Sequence, residues 1–165
     1  MVIVQRRYTS DIMTQPILTG VLFLFVVAVV QAAPNFSGVW NLNVDASEYG
    51  PLPKPQKIVM TIEQAEPSIQ ITQEINGAQG PFTARFKYST DGKEVSNVNG
   101  PSDLKSTAKW DNDTLVIEST GKFRGNDLKL VDKWTLSSDG KTLKLARHIS
   151  VQQGEVDQTQ VWDKK

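Results

Sequence analysis

The chain contains no cysteine, which excludes disulfides, thiolate metal sites and Cys-His nucleophilic catalysis. It has one histidine, His148, so a His-x-x-x-His metal pair cannot form. It also lacks an excess of either charge, because 18 basic and 18 acidic residues cancel. No basic stripe stands out, so nucleic acid has little to attract it. Beyond the first residues no helical periodicity is convincing. With nothing covalent to staple it, the fold must be held by its core alone.

The N-terminus reads as a targeting segment. Arg6 and Arg7 precede the apolar run Ile17–Val30 and then Gln31-Ala32-Ala33-Pro34. A charged start, an apolar stretch and small residues make a secretory signal, with cleavage after Ala32. A start at Met13 would remove both arginines. Left uncleaved, the run would act as a membrane anchor, although it is short for a span of about 20 residues. The expectation is a signal peptide over residues 1–32 and one exported domain over residues 33–165, periplasmic or extracellular. Contact with a membrane is expected only if the segment stays attached.

From Gly38 onward, period-2 patterns repeat between turn signals. Trp40, Leu42 and Val44 share one face. Asp45–Gln56 reads as a long loop, since its three prolines cannot join a ladder (DASEYGPLPKPQ). Met60 and Ile62 alternate with polar neighbours, and so do Ile69, Ile71 and Gln73. A four-residue turn, Glu63-to-Ser68 in its flanks, sets Ile62 opposite Ile69 and Met60 opposite Ile71. Phe82, Ala84, Phe86 and Tyr88 form the next inner face, and Asp91-Gly92 turns the chain so that Tyr88 faces Val95. Trp110 pairs with Leu115 and Ala108 with Ile117 around Asn112-Asp113.

The hairpin Leu128–Val151 carries the clearest register. Leu128, Leu130, Trp134 and Leu136 alternate with polar residues before Asp139-Gly140, and Leu143, Leu145, Ile149 and Val151 do so after it. A two-residue Asp-Gly loop pairs Ser138 with Lys141, Leu136 with Leu143 and Trp134 with Leu145. A one-residue slip would spoil the apolar face. This register sets Asp132 opposite Arg147, both on the inner face. Buried charges are tolerable only when paired, so the interior is expected to be partly polar.

About ten strands joined by short turns imply an all-β antiparallel up-and-down meander. Closing such a sheet removes its exposed edges, so a barrel is favoured over a two-sheet sandwich. A barrel of this size holds side chains and often one small ligand.

Gly38-Val39-Trp40 at the start of the first strand, followed by a meander, resembles the calycin superfamily of lipocalins and fatty-acid-binding proteins. Tyr49-Gly50-Pro51, the repeated Asp-Gly-Lys turns at Asp91 and Asp139, and Trp110–Leu115 are similar to small exported bacterial lipocalin-like proteins. The resemblance implies a lipocalin-like barrel that binds a small hydrophobic molecule. It also implies that a basic residue, here Arg147, packs across Trp40 and closes the base. The chain departs from the pattern in lacking the C-terminal helix of lipocalins and the two-helix lid of fatty-acid-binding proteins.

Two readings of Arg147 and Asp132 stay open. Arg147 could bind a ligand carboxylate with Asp132 steadying it, or the two could be a structural pair beside Trp40. His148 falls on the outer face by parity, which disfavours a haem ligand. Trp40, Phe86, Tyr88, Trp110 and Trp134 line the inner face with Gln73, Asn97, Ser106 and Ser119, and apolar walls with a few polar groups mark small-ligand sites. No second inward carboxylate suits glycoside hydrolysis. The expected function is therefore non-catalytic binding of a small hydrophobic or amphipathic ligand by a monomer, with no cofactor and no metal, at Arg147, Asp132, Trp40, Phe86, Tyr88, Trp110, Trp134 and Gln73. The loop Asp45–Gln56 would partly cover one mouth. The alternative is a filled barrel that serves as an envelope protein-interaction module.

Overall fold

The computed structural model describes residues 32–77 and 80–165. The apolar run Ile17–Val30 and the arginines before it lie outside the described residues. Ten strands follow: β1 Gly38–Glu48, β2 Lys57–Ala65, β3 Ser68–Gly77, β4 Gly80–Ser89, β5 Val95–Asn99, β6 Ser102–Asp111, β7 Thr114–Phe123, β8 Asn126–Leu136, β9 Thr142–Val151 and β10 Gly154–Lys164. They form one antiparallel sheet in the order β4-β3-β2-β1-β10-β9-β8-β7-β6-β5. Each strand pairs with its chain neighbour except β4 and β5, and β10 returns to pair with β1. The result is a nearly closed barrel.

The gap between β4 and β5 is spanned by side chains. Lys87 N donates to Asn97 Oδ1 at 2.7 Å, and Asn97 Nδ2 donates to Lys87 O at 3.0 Å. Asn99 repeats the pattern on Arg85, at 2.7 Å for each bond. Each amide offers one acceptor and one donor, as a backbone residue of a partner strand would. The pairing expected between Tyr88 and Val95 is therefore not a ladder. Asp91-Gly92 does turn the chain, but β5 leaves β4 and pairs with β6 alone.

The register of β8 and β9 follows the apolar face, with Leu136 opposite Leu143, Trp134 opposite Leu145 and Asp132 opposite Arg147. The turn itself is different. Gly140 N donates to Ser137 O, and Ser137 N donates to Thr142 O, so the chain reverses over Ser137–Gly140. Only Gly140 takes a left-handed φ there, at 68°, whereas a type I′ loop at Asp139-Gly140 needs positive φ at both residues. That loop is instead built at Arg124-Gly125, with φ of 52° and 82°, between Phe123 and Asn126.

The β2–β3 register also differs from expectation. Ala65 pairs with Ser68 around Glu66-Pro67, so Ile62 faces Ile71 and Met60 faces Gln73. The shift preserves parity and keeps the same side chains inside. The expected loop Asp45–Gln56 is shorter, because β1 continues to Glu48 through a bulge that sets Asn43 opposite Val161 and Glu48 opposite Thr159. Ser47 Oγ bridges the bulge, donating to Asn43 O at 2.6 Å and accepting from Val161 N at 2.9 Å. Tyr49, read as loop, is buried.

One end of the barrel is plugged from outside the strand pattern. Phe36 is fully buried, stacked on Trp110 at 5.5 Å between ring centres and edge-on to Trp134 at 5.9 Å. Trp40 Nε1 donates to Phe36 O at 2.9 Å, and Phe36 N donates to Gln64 Oε1 at 2.8 Å. The turns β2–β3, β6–β7 and β8–β9 stand at this end. A Cβ on Gly121 would lie 2.1 Å from Asp103 O, so the close β6–β7 approach there requires glycine.

Candidate functional site

Inside the barrel is a cavity of about 170 Å³. Gln73 from β3, Phe86 and Tyr88 from β4, Asp132 and Trp134 from β8, and Arg147 from β9 line it. They meet there because alternate residues of each strand point inward and the sheet wraps β3–β4 round to face β8–β9. Trp40 and Trp110, expected at the same site, stand outside it. Trp40 and Trp110 both pack with Phe36 in the plug, and Trp110 Nε1 donates to Glu66 Oε1 at 3.3 Å. No residue of the loop Tyr49–Gln56 reaches the cavity lining.

The centre of the polar wall is a two-pronged ion pair. Arg147 Nε donates to Asp132 Oδ1 and Nη2 to Oδ2, each at 2.7 Å. The pair is geometrically strong because the planar guanidinium matches the carboxylate fork. The Asp132 side chain is 5% exposed and that of Arg147 is 28% exposed. Burial alone would lower the Arg147 pKa. The charge and hydrogen bonds of Asp132 outweigh it and hold the guanidinium protonated. Burial first, and then the Asp132 charge, pushes the Tyr88 phenol well above its ordinary range. Tyr88 therefore remains an O–H donor in the cavity.

The rest of the wall is hydroxyl and indole. Ser106 and Ser119 share a hydrogen bond at 2.7 Å, and Asn97 Nδ2 donates to Ser106 at 3.3 Å. Trp134 Nε1 is buried and has no hydrogen-bond partner among the described residues. Gln73 reaches only the Met60 sulfur, at 3.5 Å.

Arg147 does not pack across Trp40. Lys164 does, with its Nζ 5.1 Å from the ring centre. The registers explain why: on β10, Lys164 lies opposite Trp40, whereas Gln158 lies opposite Arg147. Lys164 shares the inward parity of Trp162, and that was the available signal. Phe36 carried no signal, because it precedes the first alternating stretch. His148 faces outward with a 40% exposed side chain, its Nδ1 2.7 Å from Asp157 Oδ1.

The architecture is a nearly closed barrel of ten antiparallel strands, a fold shared with solved structures of ligand-binding barrels. The chain is similar in structure to zebrafish ileal bile-acid-binding protein complexed with cholic acid, with a TM-score of 0.59 and 21% identity over 79% of this chain and 98% of that one. It is also similar to secretory abundant heat soluble protein 4 of Ramazzottius varieornatus (TM-score 0.53, 15% identity, 82% of this chain and 99% of that one). Fatty-acid-binding protein 1 of Echinococcus granulosus gives a TM-score of 0.52 and 14% identity over 78% of this chain and 96% of that one. At these identities the likeness is one of fold. No protein-family model and no curated protein matches the chain.

Proposed function

We propose that this barrel binds a small hydrophobic or amphipathic molecule in its interior, without chemistry, as an exported monomer. The observation that carries the reading is the cavity itself, where a buried ion pair and a neutral phenol stand among apolar walls. A barrel serving only as packing would fill that space with aliphatic side chains, because unused buried polar groups are costly. Structural neighbours named for bile-acid and fatty-acid binding support the same use of the fold.

Cavity size narrows the ligand. About 170 Å³ falls below the roughly 300–1,000 Å³ of drug-sized sites. The occupant is therefore a compact molecule or one short chain, held by Phe86 and Trp134 on its apolar side and by Tyr88 and Arg147 on its polar side. Export rests on the signal segment over residues 1–32, and the membrane becomes a partner only if that segment is retained.

Native mass spectrometry of the exported protein, purified without detergent, tests the reading. A mass excess removed by denaturation is expected. A bare chain that also ignores octanol and a lipophilic fluorescent probe overturns it. The interaction-module reading draws on a different observation: Leu52, Phe82, Val98 and Phe123 are exposed, and all stand at the end opposite the plug. That apolar rim would be its contact face.

A further inference from the structure

We propose that Asp132 makes the cavity selective for neutral hydrogen-bond acceptors, such as an alcohol, ketone or ester, and against carboxylates. This inference rests on the ligand-binding reading above and names the ligand class of the same site.

Charge and hydrogen-bond accounting inside the cavity supports it. Both Asp132 oxygens are taken by Arg147. Among the described residues, the one carboxylate in the lining is matched by the one cation there. Donors remain on the Arg147 side of the wall. A guanidinium has five N–H groups, and two are used, so three are left over. Tyr88 adds a phenol that burial keeps protonated. A group that a ligand turns toward Arg147 and Tyr88 must therefore be an acceptor.

The acceptor's charge is decided by Asp132. An incoming carboxylate meets one positive and one negative group held 2.7 Å apart, so attraction and repulsion largely cancel. Its desolvation cost is then left without compensation, and the cavity would carry a net negative charge. A hydroxyl or carbonyl oxygen brings no charge to desolvate and satisfies the same donors. An arginine without Asp132 would choose the opposite way. Asp132 is thus a specificity-determining residue, and the pair is more than a structural tie across β8 and β9.

The test compares octanol, methyl octanoate and octanoate at neutral pH on the full chain, by calorimetry with native mass spectrometry as the second readout. The expected result is octanol or the ester binding at least tenfold more tightly than octanoate. Octanoate binding equally well or better overturns the selectivity and leaves the ligand-binding reading standing. If none of the three binds, the ligand-binding reading falls, and the selectivity falls with it. Asp132→Asn leaves Arg147 charged and unmatched, and octanoate should then gain at least tenfold. A folded Asp132→Asn protein with an unchanged order of preference overturns the role given to Asp132. The wild-type comparison needs no variant, so it decides the question even if Asp132→Asn does not fold.

Discussion

The seam between β4 and β5 should break at one residue more than at the other. Asn97 is 4% exposed and makes bonds to Lys87 N, Lys87 O and Ser106 Oγ at 2.7, 3.0 and 3.3 Å. Asn99 makes bonds of similar length to Arg85, but at an exposed position. Asn97→Ala removes three bonds, each contributing about 0.5–1.5 kcal/mol net. It also leaves Ser106 with only Ser119. Water can reach part of the freed β4 edge, since Lys87 itself is exposed. The expected loss is therefore about 2–3 kcal/mol. Asn99→Ala frees groups that water solvates at once, and should cost below about 1 kcal/mol.

Urea denaturation measures both losses, with the slope watched for a change in surface exposed on unfolding. Amide hydrogen exchange provides the local readout. Lys87 NH should exchange much faster in Asn97→Ala, and Arg85 NH faster in Asn99→Ala, while amides in the β8–β9 ladder keep their protection relative to global stability. Two variants within about 0.5 kcal/mol of each other, with Lys87 exchange unchanged, would refute the claim that buried amides close the sheet.

Other outcomes can be checked on the same protein. Phe36→Ala opens the plug around Trp40, Trp110 and Trp134 and should cost about 3–5 kcal/mol in chemical denaturation, as aromatic core truncations do; a loss under about 1 kcal/mol would mean the plug is dispensable. Tyr88 should not ionise in the folded barrel near pH 10.0, where a free phenol does. Because its folded pKa is raised, its contribution to stability is intact below about pH 10 and is lost as pH rises further. Phenolate absorbance appearing before unfolding, beyond what Tyr88→Phe retains, would contradict this. His148 should titrate above the ordinary 6.5, because the hydrogen bond that its Nδ1–H donates to Asp157 favours its charged form. Its stabilising contribution is present below pH 6.5 and is lost as pH rises through the folded value; nuclear magnetic resonance of Asp157→Asn should show the midpoint falling back.

Much of the barrel was legible because a meander with short turns leaves few choices. Parity sets the inner face of most strands, although it is poor in Lys93–Asn99, and the apolar register puts Asp132 opposite Arg147. Parity is blind to shifts by two, however. Ile62 opposite Ile69 and Ile62 opposite Ile71 both keep the isoleucines inside, and only the tight turn at Glu66-Pro67 selects the second. The same blindness hid the longer turn at Ser137–Gly140, since lengthening a loop by one pair leaves the register intact. Assigning the cation over Trp40 to Arg147 failed for another reason. It required counting along β10, where Lys164 and not Gln158 reaches the first turn of β1.

The cavity and the seam follow from one constraint on a sheet that closes late in its strand order. With β5 pairing only β6, the edge of β4 would present bare N–H and C=O groups, an invitation to pair with another chain. Asn97 and Asn99 cover those groups without continuing the ladder. Asn97 points inward to do so, and its spare N–H leads to Ser106 and on to Ser119 in the cavity lining. Sealing the edge with inward amides therefore commits part of the interior to polar contacts. An apolar core could not accept them, but a cavity that also holds Arg147 and Asp132 can. The polar interior that suits a ligand and the side-chain closure of the barrel are thus two consequences of the same residues.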